Sequence, residues 1–398
     1  MDVVVALEKR FSVTPDGTVW SQGWLAADFW ERYLDVFDNV KVFARKVNVD
    51  RPPDRGRIAS RDRVSFLDVP FYLGPWQYAR KIHQLRAAAT AAVESGDAIM
   101  LRAPGGVSSL LFAAARRHKH PYGVEVVGDP YDVYDKGSIK SLLRPGLRVW
   151  VTRELKEMCR QAATASYVTA RGIQQRYPPG PGTYATAYSS IDLGDEAFVD
   201  QARGEPTDRN RILFVGTLAQ MYKAPDILLK AFAMLRRDVD ATLTYVGDGR
   251  FRSMLEQMAR ELGVAEYVTF AGVLPAGDAV RAAFDDCDLF VLPSHGEGLP
   301  RVMIEAMARA VPCIGTTISG ILELLPEDVC VPPGDAEALA GKMRSLLADK
   351  NLMRRLSARN LEEAGKYHLQ SLRPRRQAMY RALVDATNQA GTRSQVEI

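Results

Sequence analysis

Short apolar runs alternate with longer segments of helical spacing over most of the 398-residue chain. In the N-terminal half, residues 3–7, 40–43, 64–67, 98–101, 123–127 and 166–169 read as strands. Between them, 24–36, 77–94, 107–118 and about 145–163 repeat apolar residues at three- and four-residue intervals and read as helices. Strands separated by helices of this length imply a mostly parallel sheet, because parallel neighbours need a long crossover.

The stretch 177–207 breaks the rhythm. Pro178-Pro179-Gly180-Pro181-Gly182 suits neither a helix nor a strand interior, and Gly204-Glu205-Pro206 repeats the signal. An interdomain connection is expected within about 175–208. A cleaner alternation follows, with strands at 212–215, 241–246, 267–271, 289–292 and 312–314. Helices are expected at about 225–236, 250–263, 276–285 and 300–310, then at 336–366 and 370–388, with a disordered tail after Gly391. The expectation is an α/β protein of two Rossmann-like domains, 1–190 and 191–370, closed by a helix and flexible tail at 371–398.

Composition narrows the class. Hydrophobic residues make 47% and charged residues 25% of the chain, which is ordinary for a globular protein and argues against long disorder. Cys159, Cys287, Cys313 and Cys330 are widely spaced, which suits free thiols in a reducing compartment and neither a zinc site nor a disulfide framework. The five histidines show no metal-ligand spacing. Met1 leads into an apolar run followed by Glu8-Lys9-Arg10, which reads as a first strand and not as an export signal. No run of about 18 uncharged apolar residues occurs, so a cytoplasmic protein is expected. A net charge of +4 does not by itself call for nucleic acid.

The segment that carries chemistry is Pro293-Ser294-His295-Gly296-Glu297-Gly298-Leu299-Pro300-Arg301-Val302-Met303-Ile304-Glu305. It follows an apolar strand, flanks Glu297 with glycines, and places Pro300 where the first helical position would be. Strand, tight loop and helix start at the carboxyl end of a parallel sheet form the usual place for a ligand in such folds. The N–H groups and dipole of the helix can hold a diphosphate. Glu297 can reach hydroxyls from the loop, and Glu305, two turns on, can reach a second part of an extended ligand. Each glutamate alone also fits a solvated helical acid.

This segment resembles the Glu-x7-Glu region of the retaining family 4 glycosyltransferases, and the resemblance spans most of 210–350. Leu213 to Leu218 with Lys223 is similar to that family's strand, glycine turn and phosphate-binding lysine. Tyr245-Val246-Gly247-Asp248-Gly249 resembles its next strand-ending turn, and Val268 to Val273 the segment bordering the nucleobase. Gly315-Thr316 to Gly320-Ile321, then Glu323, is similar to the loop and helix start that close the donor pocket. The resemblance implies a GT-B fold, with the two domains facing across a cleft and the C-terminal helix crossing back. It implies retaining, metal-independent transfer of a hexose-type sugar from a nucleotide-diphosphate sugar, commonly a UDP-sugar, with no cofactor. Glu297, Lys223 and Asp129 become the expected catalytic residues. Gly216, Thr217, Lys223, Gly247, Gly272, Val273, Glu297, Gly298, Leu299, Pro300, Arg301 and Glu305 become the expected donor contacts. Thr217 stands where the family often has a second phosphate cation, and Arg301 is the substitute candidate.

The N-terminal half departs further from the family. The loop 12–20 occupies the place of a glycine-rich loop near the donor phosphates, and Gly128-Asp129 stands where many members have His-Asp. Asp129 fits either a substrate contact or the cap of a turn before Pro130. The run Trp20, Phe29-Trp30 and Arg32-Tyr33-Leu34 is similar to members that assemble bacterial surface polysaccharides, although Trp20 and Trp30 equally suit core packing. From Lys136 to Arg160 basic residues outnumber acids, with Leu142, Leu143, Val149 and Trp150 interleaved. That stretch fits a solvated helix face or a face resting on an anionic membrane, as a lipid-linked or glycan-precursor acceptor would require. Asp286 and Asp288 have Asp-x-Asp spacing but precede a buried strand and read as a helix-end turn. A sugar-nucleotide epimerase and a non-catalytic nucleotide-sugar-binding subunit stay open as alternatives.

Overall fold

The computed structural model describes residues 1–23, 25–54, 56–133, 144–204 and 209–396. The part of the basic stretch at 136–143 therefore lies outside the described residues.

Two sheets organise the chain. The first contains β1 (Val3–Val13), β2 (Val19–Gln22), β3 (Val40–Asn48), β4 (Gly56–Ile58), β5 (Val64–Phe66), β6 (Ala98–Ala103), β7 (Gly123–Val126), β8 (Thr164–Tyr167) and β9 (Tyr184–Ala187). Its parallel part runs β5-β3-β1-β6-β7-β8-β9. The second contains β10 (Arg211–Val215), β11 (Thr242–Val246), β12 (Val268–Gly272), β13 (Leu289–Val291), β14 (Cys313–Thr316) and β15 (Cys330–Val331), in the order β12-β11-β10-β13-β14-β15. Central strands such as β6 are buried at every residue, which is why they read as unbroken apolar runs.

Six helices accompany the first sheet: α1 (Glu31–Leu34), α2 (Gly74–Glu94), α3 (Gly106–Arg117), α4 (Pro130–Val133), α5 (Arg144–Gln161) and α6 (Gly172–Arg176). Eight follow β10: α7 (Pro225–Leu235), α8 (Arg252–Glu261), α9 (Asp278–Asp286), α10 (Arg301–Ala308), α11 (Ser319–Leu322), α12 (Ala336–Ala348), α13 (Lys350–Gly365) and α14 (Leu369–Val396). The buried set Val107, Leu110, Leu111, Ala114 and Ala115 gives α3 a single apolar stripe at helical spacing.

Several expectations need correction. The region 24–36 is helical only from Ala27, first as a 3-10 turn and then as α1. The loop expected at 12–20 is largely a hairpin, with Ser12 and Val13 of β1 paired to Trp20 and Val19 of β2. A shift of register between Ala6 and Arg10 hands β1 from β6 to that hairpin, so no glycine loop stands over the cleft there. The stretch 175–208 contains β9, which extends the first sheet, so the crossing begins only after Ala187. The helix expected over 336–366 is two helices, because the Asp349 side chain caps a new start by accepting from Leu352 N at 2.8 Å. The tail after Gly391 continues α14 to Val396.

The chain crosses between the sheets twice, and the two crossings run side by side. Leu369 N donates to Leu193 O at 2.8 Å, and His368 meets Asp195 at 2.9 Å. Beyond the second crossing α14 returns to the first sheet. Its Tyr380 stacks on Tyr33 at 5.1 Å and donates at 2.8 Å to Glu125 of β7. Glu125 also accepts from Tyr33, Tyr188 and Arg102, which satisfies a fully buried carboxylate and anchors the helix.

Candidate active site

The order of the second sheet fixes where a ligand can sit. β10 and β13 are neighbours, yet the chain leaves β10 toward β11 and leaves β13 toward β14 on the other side. Such a switch point opens a crevice at the carboxyl ends of the strands. The connection after β10 brings Lys223 to that crevice, and the connection after β13 brings Glu297. Lys223 Nζ lies 2.6 Å from Glu297 Oε1, and Ser294 Oγ donates to the same oxygen at 3.0 Å. Each of the paired side chains is only 11% exposed. His295 N donates to Tyr222 O at 2.7 Å, which ties the two loops together beneath the pair.

Glycines are required by close approach. A Cβ at Gly216 would stand 2.6 Å from Cδ of Lys223, so glycine there lets the lysine stem lie across the turn. Gly247 has φ +138, and a Cβ on it would meet Gly216 O at 1.9 Å. Its amide donates to Gly272 O at 2.7 Å, which joins the ends of β11 and β12. Val273 follows, exposed at the edge of this row. The Thr217 hydroxyl accepts from Ala219 N at 3.1 Å and is turned to its own loop.

Pro300 is the N-cap of α10 and Arg301 its first residue, one position later than the sequence suggested. Gly298 and Leu299 complete the loop before it. Met303, Ile304 and Met307 bury one face of the helix and fix its direction. Arg301 and Glu305 stand on the same helix, close enough for their charges to act on each other and, for Glu305, on Lys223. Burial raises the Glu305 carboxyl above the ordinary range, offset in part by Arg301 and Lys223. Burial lowers Arg301, an effect that Glu305 opposes and Arg102 reinforces. Burial also works to lower Lys223, but Glu297 and Tyr222 outweigh it and hold the ammonium above its usual range. Lys223, Glu297, Arg301 and Glu305 thus form one charge cluster. A cavity of about 550 Å³ extends from Arg301 and Glu305 toward Arg32, Asp192 and Arg376 between the two sheets.

The first sheet closes over this cluster. A Cβ on Gly298 would lie 3.3 Å from the Gly128 Cα and from Val127 O, and one on Gly320 would strike Gly298 O at 2.0 Å. Asp129, at the end of β7, is buried and committed to its surroundings. Its carboxylate accepts from Tyr131 N at 2.9 Å and Tyr177 Oη at 2.6 Å, and pairs with Arg176. The geometry is that of the turn cap before Pro130, not of a group presented to substrate.

Sequence reasoning missed three participants. Ser294 orients Glu297, and Tyr222 lies under Lys223 with its ring centroid 5.1 Å from the ammonium. The third is the docking of Glu323. From the end of α11 it accepts from the amides of Ala170, Arg171 and Gly172 at 3.0, 2.8 and 2.8 Å, across the cleft. A lone Glu in a helical turn carries no sequence signal for a partner about 150 residues away. Replacing Glu323 by alanine should weaken this clasp. Charge-assisted hydrogen bonds contribute about 1.5–3 kcal/mol, so amide exchange at 170–172 should accelerate about tenfold or more. Unchanged exchange there would mean that the clasp does not hold the domains together in solution.

Asp286 closes α9 and pairs with Arg211, while Asp288 accepts from Arg211 N at 2.8 Å. Both lie at the opposite edge of the strands from the crevice, as the helix-end reading requires. Among the described residues no cluster of three or more His, Cys, Asp or Glu is placed to hold a metal ion, and no helix is long and apolar enough to cross a membrane. The four cysteines are buried and free.

Comparison with known proteins places this geometry. Residues 195–363 match the model of a family described as glycosyl transferases group 1. The protein CapJ of Staphylococcus aureus is 24% identical over 353 residues, covering 87% of each chain. The structure of sucrose-phosphate synthase from Thermosynechococcus elongatus superposes with a TM-score of 0.70 at 17% identity, covering 97% of this chain and all of that one. HepE of Anabaena, solved in complex with UDP-glucose, gives a TM-score of 0.64 at 15% identity over 97% of this chain and all of its own. Residues 195–363 thus match a group 1 glycosyl transferase domain, and the chain has the GT-B fold of such enzymes.

Proposed function

We propose that the protein is a retaining glycosyltransferase that moves a hexose-type sugar from a UDP-sugar to a hydroxyl of a lipid-linked or polysaccharide-precursor glycan. The observation that carries this reading is the pairing of Lys223 with Glu297 at the β10/β13 crevice, with Glu305 and Arg301 on the helix that starts beside it. Lys223 and the N-terminus of α10 supply positive charge for a departing diphosphate without requiring a metal ion. Glu297 meets donor-sugar hydroxyls, Glu305 the ribose hydroxyls, and Arg301 takes the place of the cation missing at Thr217. The acceptor oxygen attacks the anomeric carbon on the face that the nucleotide leaves. The bond to the diphosphate breaks, and a phosphate oxygen of the leaving group takes the acceptor's proton. UDP-glucose bound to HepE supports the donor class.

Thermal unfolding against a panel of nucleotides and nucleotide sugars tests the donor. At about 100 times its dissociation constant a ligand stabilises by about 2.7 kcal/mol, so one UDP-sugar should stand out. Silence toward every nucleotide would sink the reading. Glu305→Gln supplies the second arm. A raised carboxyl favours the protonated form in the fold, so its stabilising effect is present below the unfolded carboxyl range and is lost as pH rises through the folded value. The glutamine variant should therefore melt a few degrees higher than the parent at about pH 7.5 without ligand, and nearly level with it at about pH 4. Its response to UDP should shrink. A variant no more stable at neutral pH would contradict the buried charge.

A further inference from the structure

Six of the large apolar side chains exposed among the described residues gather on one side of the first sheet. Leu73 and Trp76 stand at the start of α2, Leu147, Val149 and Trp150 in the first two turns of α5, and Tyr131 in α4. Trp76 is 85% and Trp150 56% exposed. A soluble surface scatters such residues singly, and tryptophans grouped together mark a contact surface.

The two helix starts flank the start of α3. α3 packs beside α2, and its Ser109 donates at 2.7 Å to Glu154 of α5. Burial raises the hydroxyl of Tyr78 of α2, Arg86 opposes this, and the same Glu154 carboxylate is close enough to add to the rise. Both helices begin at the carboxyl ends of parallel strands, the end that faces the cleft. Tyr72, just before α2, reaches Gly106 at the start of α3, and Arg148 donates to Tyr131 O beyond the end of β7. The aromatic residues therefore rim the cleft.

The exposed charge that α2 and α5 carry among the described residues is mainly cationic. Arg80 and Arg86 of α2 and Arg153 and Lys156 of α5 are exposed. The acids of these helices are removed from play: Glu94 ends α2, Glu154 is bonded to Ser109, and Glu157 pairs with Arg160. Self-pairing of two such faces would set cations against cations, which like-charge repulsion opposes. Tryptophans ringed by arginine and lysine match the boundary between anionic headgroups and acyl chains.

We propose that the starts of α2 and α5 form a docking face for an anionic lipid surface, which brings a lipid-linked acceptor to the cleft mouth. Only this last purpose rests on the glycosyltransfer reading; the docking does not. The experiment is co-sedimentation of the full chain with phosphatidylcholine vesicles, with and without phosphatidylglycerol. Partition to the anionic vesicles is expected, falling as salt rises. Trp76→Ser with Trp150→Ser, and separately Arg80→Glu with Arg153→Glu, should each reduce it about tenfold or more. Both variants should keep the parent's melting temperature and UDP response, since neither pair of residues touches the donor site.

No partition of the parent, or equal partition of the variants, would overturn the proposal. So would concentration-dependent dimerisation that the tryptophan variant abolishes, because the face would then be a contact between copies. Failed partition with an intact UDP response refutes docking alone. Intact partition with no UDP response refutes the donor reading and leaves docking standing.

Discussion

Glu297→Ala is expected to lower kcat by about two to three orders of magnitude without weakening UDP binding. The reason lies in what the carboxylate does before the donor arrives. Its Oε1 holds the Lys223 ammonium at 2.6 Å in a site where each side chain is 11% exposed. On the proposed reading, an entering diphosphate gives Lys223 a better anion and releases the carboxylate toward the sugar, where it would act on hydroxyls and on charge growing at the anomeric carbon. Alanine removes the second role and leaves the first unfilled. Breaking a buried pair costs about 3–5 kcal/mol, and the open cleft places this one at the lower end, so the ligand-free variant should melt earlier. UDP would then supply the missing anion, and its stabilising shift should be larger in the variant than in the parent. Steady-state kinetics and UDP melting shifts read both arms. Unchanged kcat would remove Glu297 from the chemistry, and a smaller UDP shift would refute the exchange of partners.

The sequence made the parallel cores legible because their strands are buried on both faces and their helices carry a clean stripe. β6 and α3 show the two signals at full strength, with every residue of one buried and one face of the other. Elements without that signal were missed. β9 is an edge strand of four residues, half exposed, and its Tyr184-Ala185-Thr186-Ala187 shows no apolar run. The aromatics at 29, 30, 33 and 37 have helical spacing, yet the first three come from a 3-10 turn followed by a single α-turn and Phe37 lies beyond it, which spacing alone does not distinguish from a long helix.

The site divides in the same way. The loop, glycines and helix start around Glu297 are local and could be read from residue types. Its partner Lys223 is 74 positions away, and only family resemblance joined the two. Asp129 shows the opposite failure. Position at a strand end near the cleft suggested chemistry, but Arg176 and Tyr177 lie almost fifty residues on and take its oxygens. Long-range pairing of charges is what a single sequence hides most completely. Trp76 is hidden in a related way: it stands one residue before the helix expected at 77–94, and only the fold shows it 85% exposed.

Lys223→Ala should produce the complementary phenotype, a fall of about three orders of magnitude in kcat/KM with weakened UDP-sugar binding. On the proposed reading the lost group is the cation that receives the diphosphate, so affinity and turnover should fall together, unlike in the Glu297 variant. Held above its usual range by Glu297 and Tyr222, the ammonium stays charged through the neutral range, so its loss should be equally severe at about pH 6 and about pH 9. The ligand-free protein should also be destabilised, since Glu297 is left buried without its cation. Combining the two substitutions separates structure from chemistry. The double variant strands neither charge and should melt higher than the sum of the single losses requires, a coupling of about 1–3 kcal/mol. Its turnover should remain as low as that of the worse single variant. Additive melting losses would mean that the pair contributes nothing to the resting fold. Recovered turnover in the double variant would mean that each residue matters only by neutralising the other, and the assignment of Lys223 to the leaving diphosphate would fall.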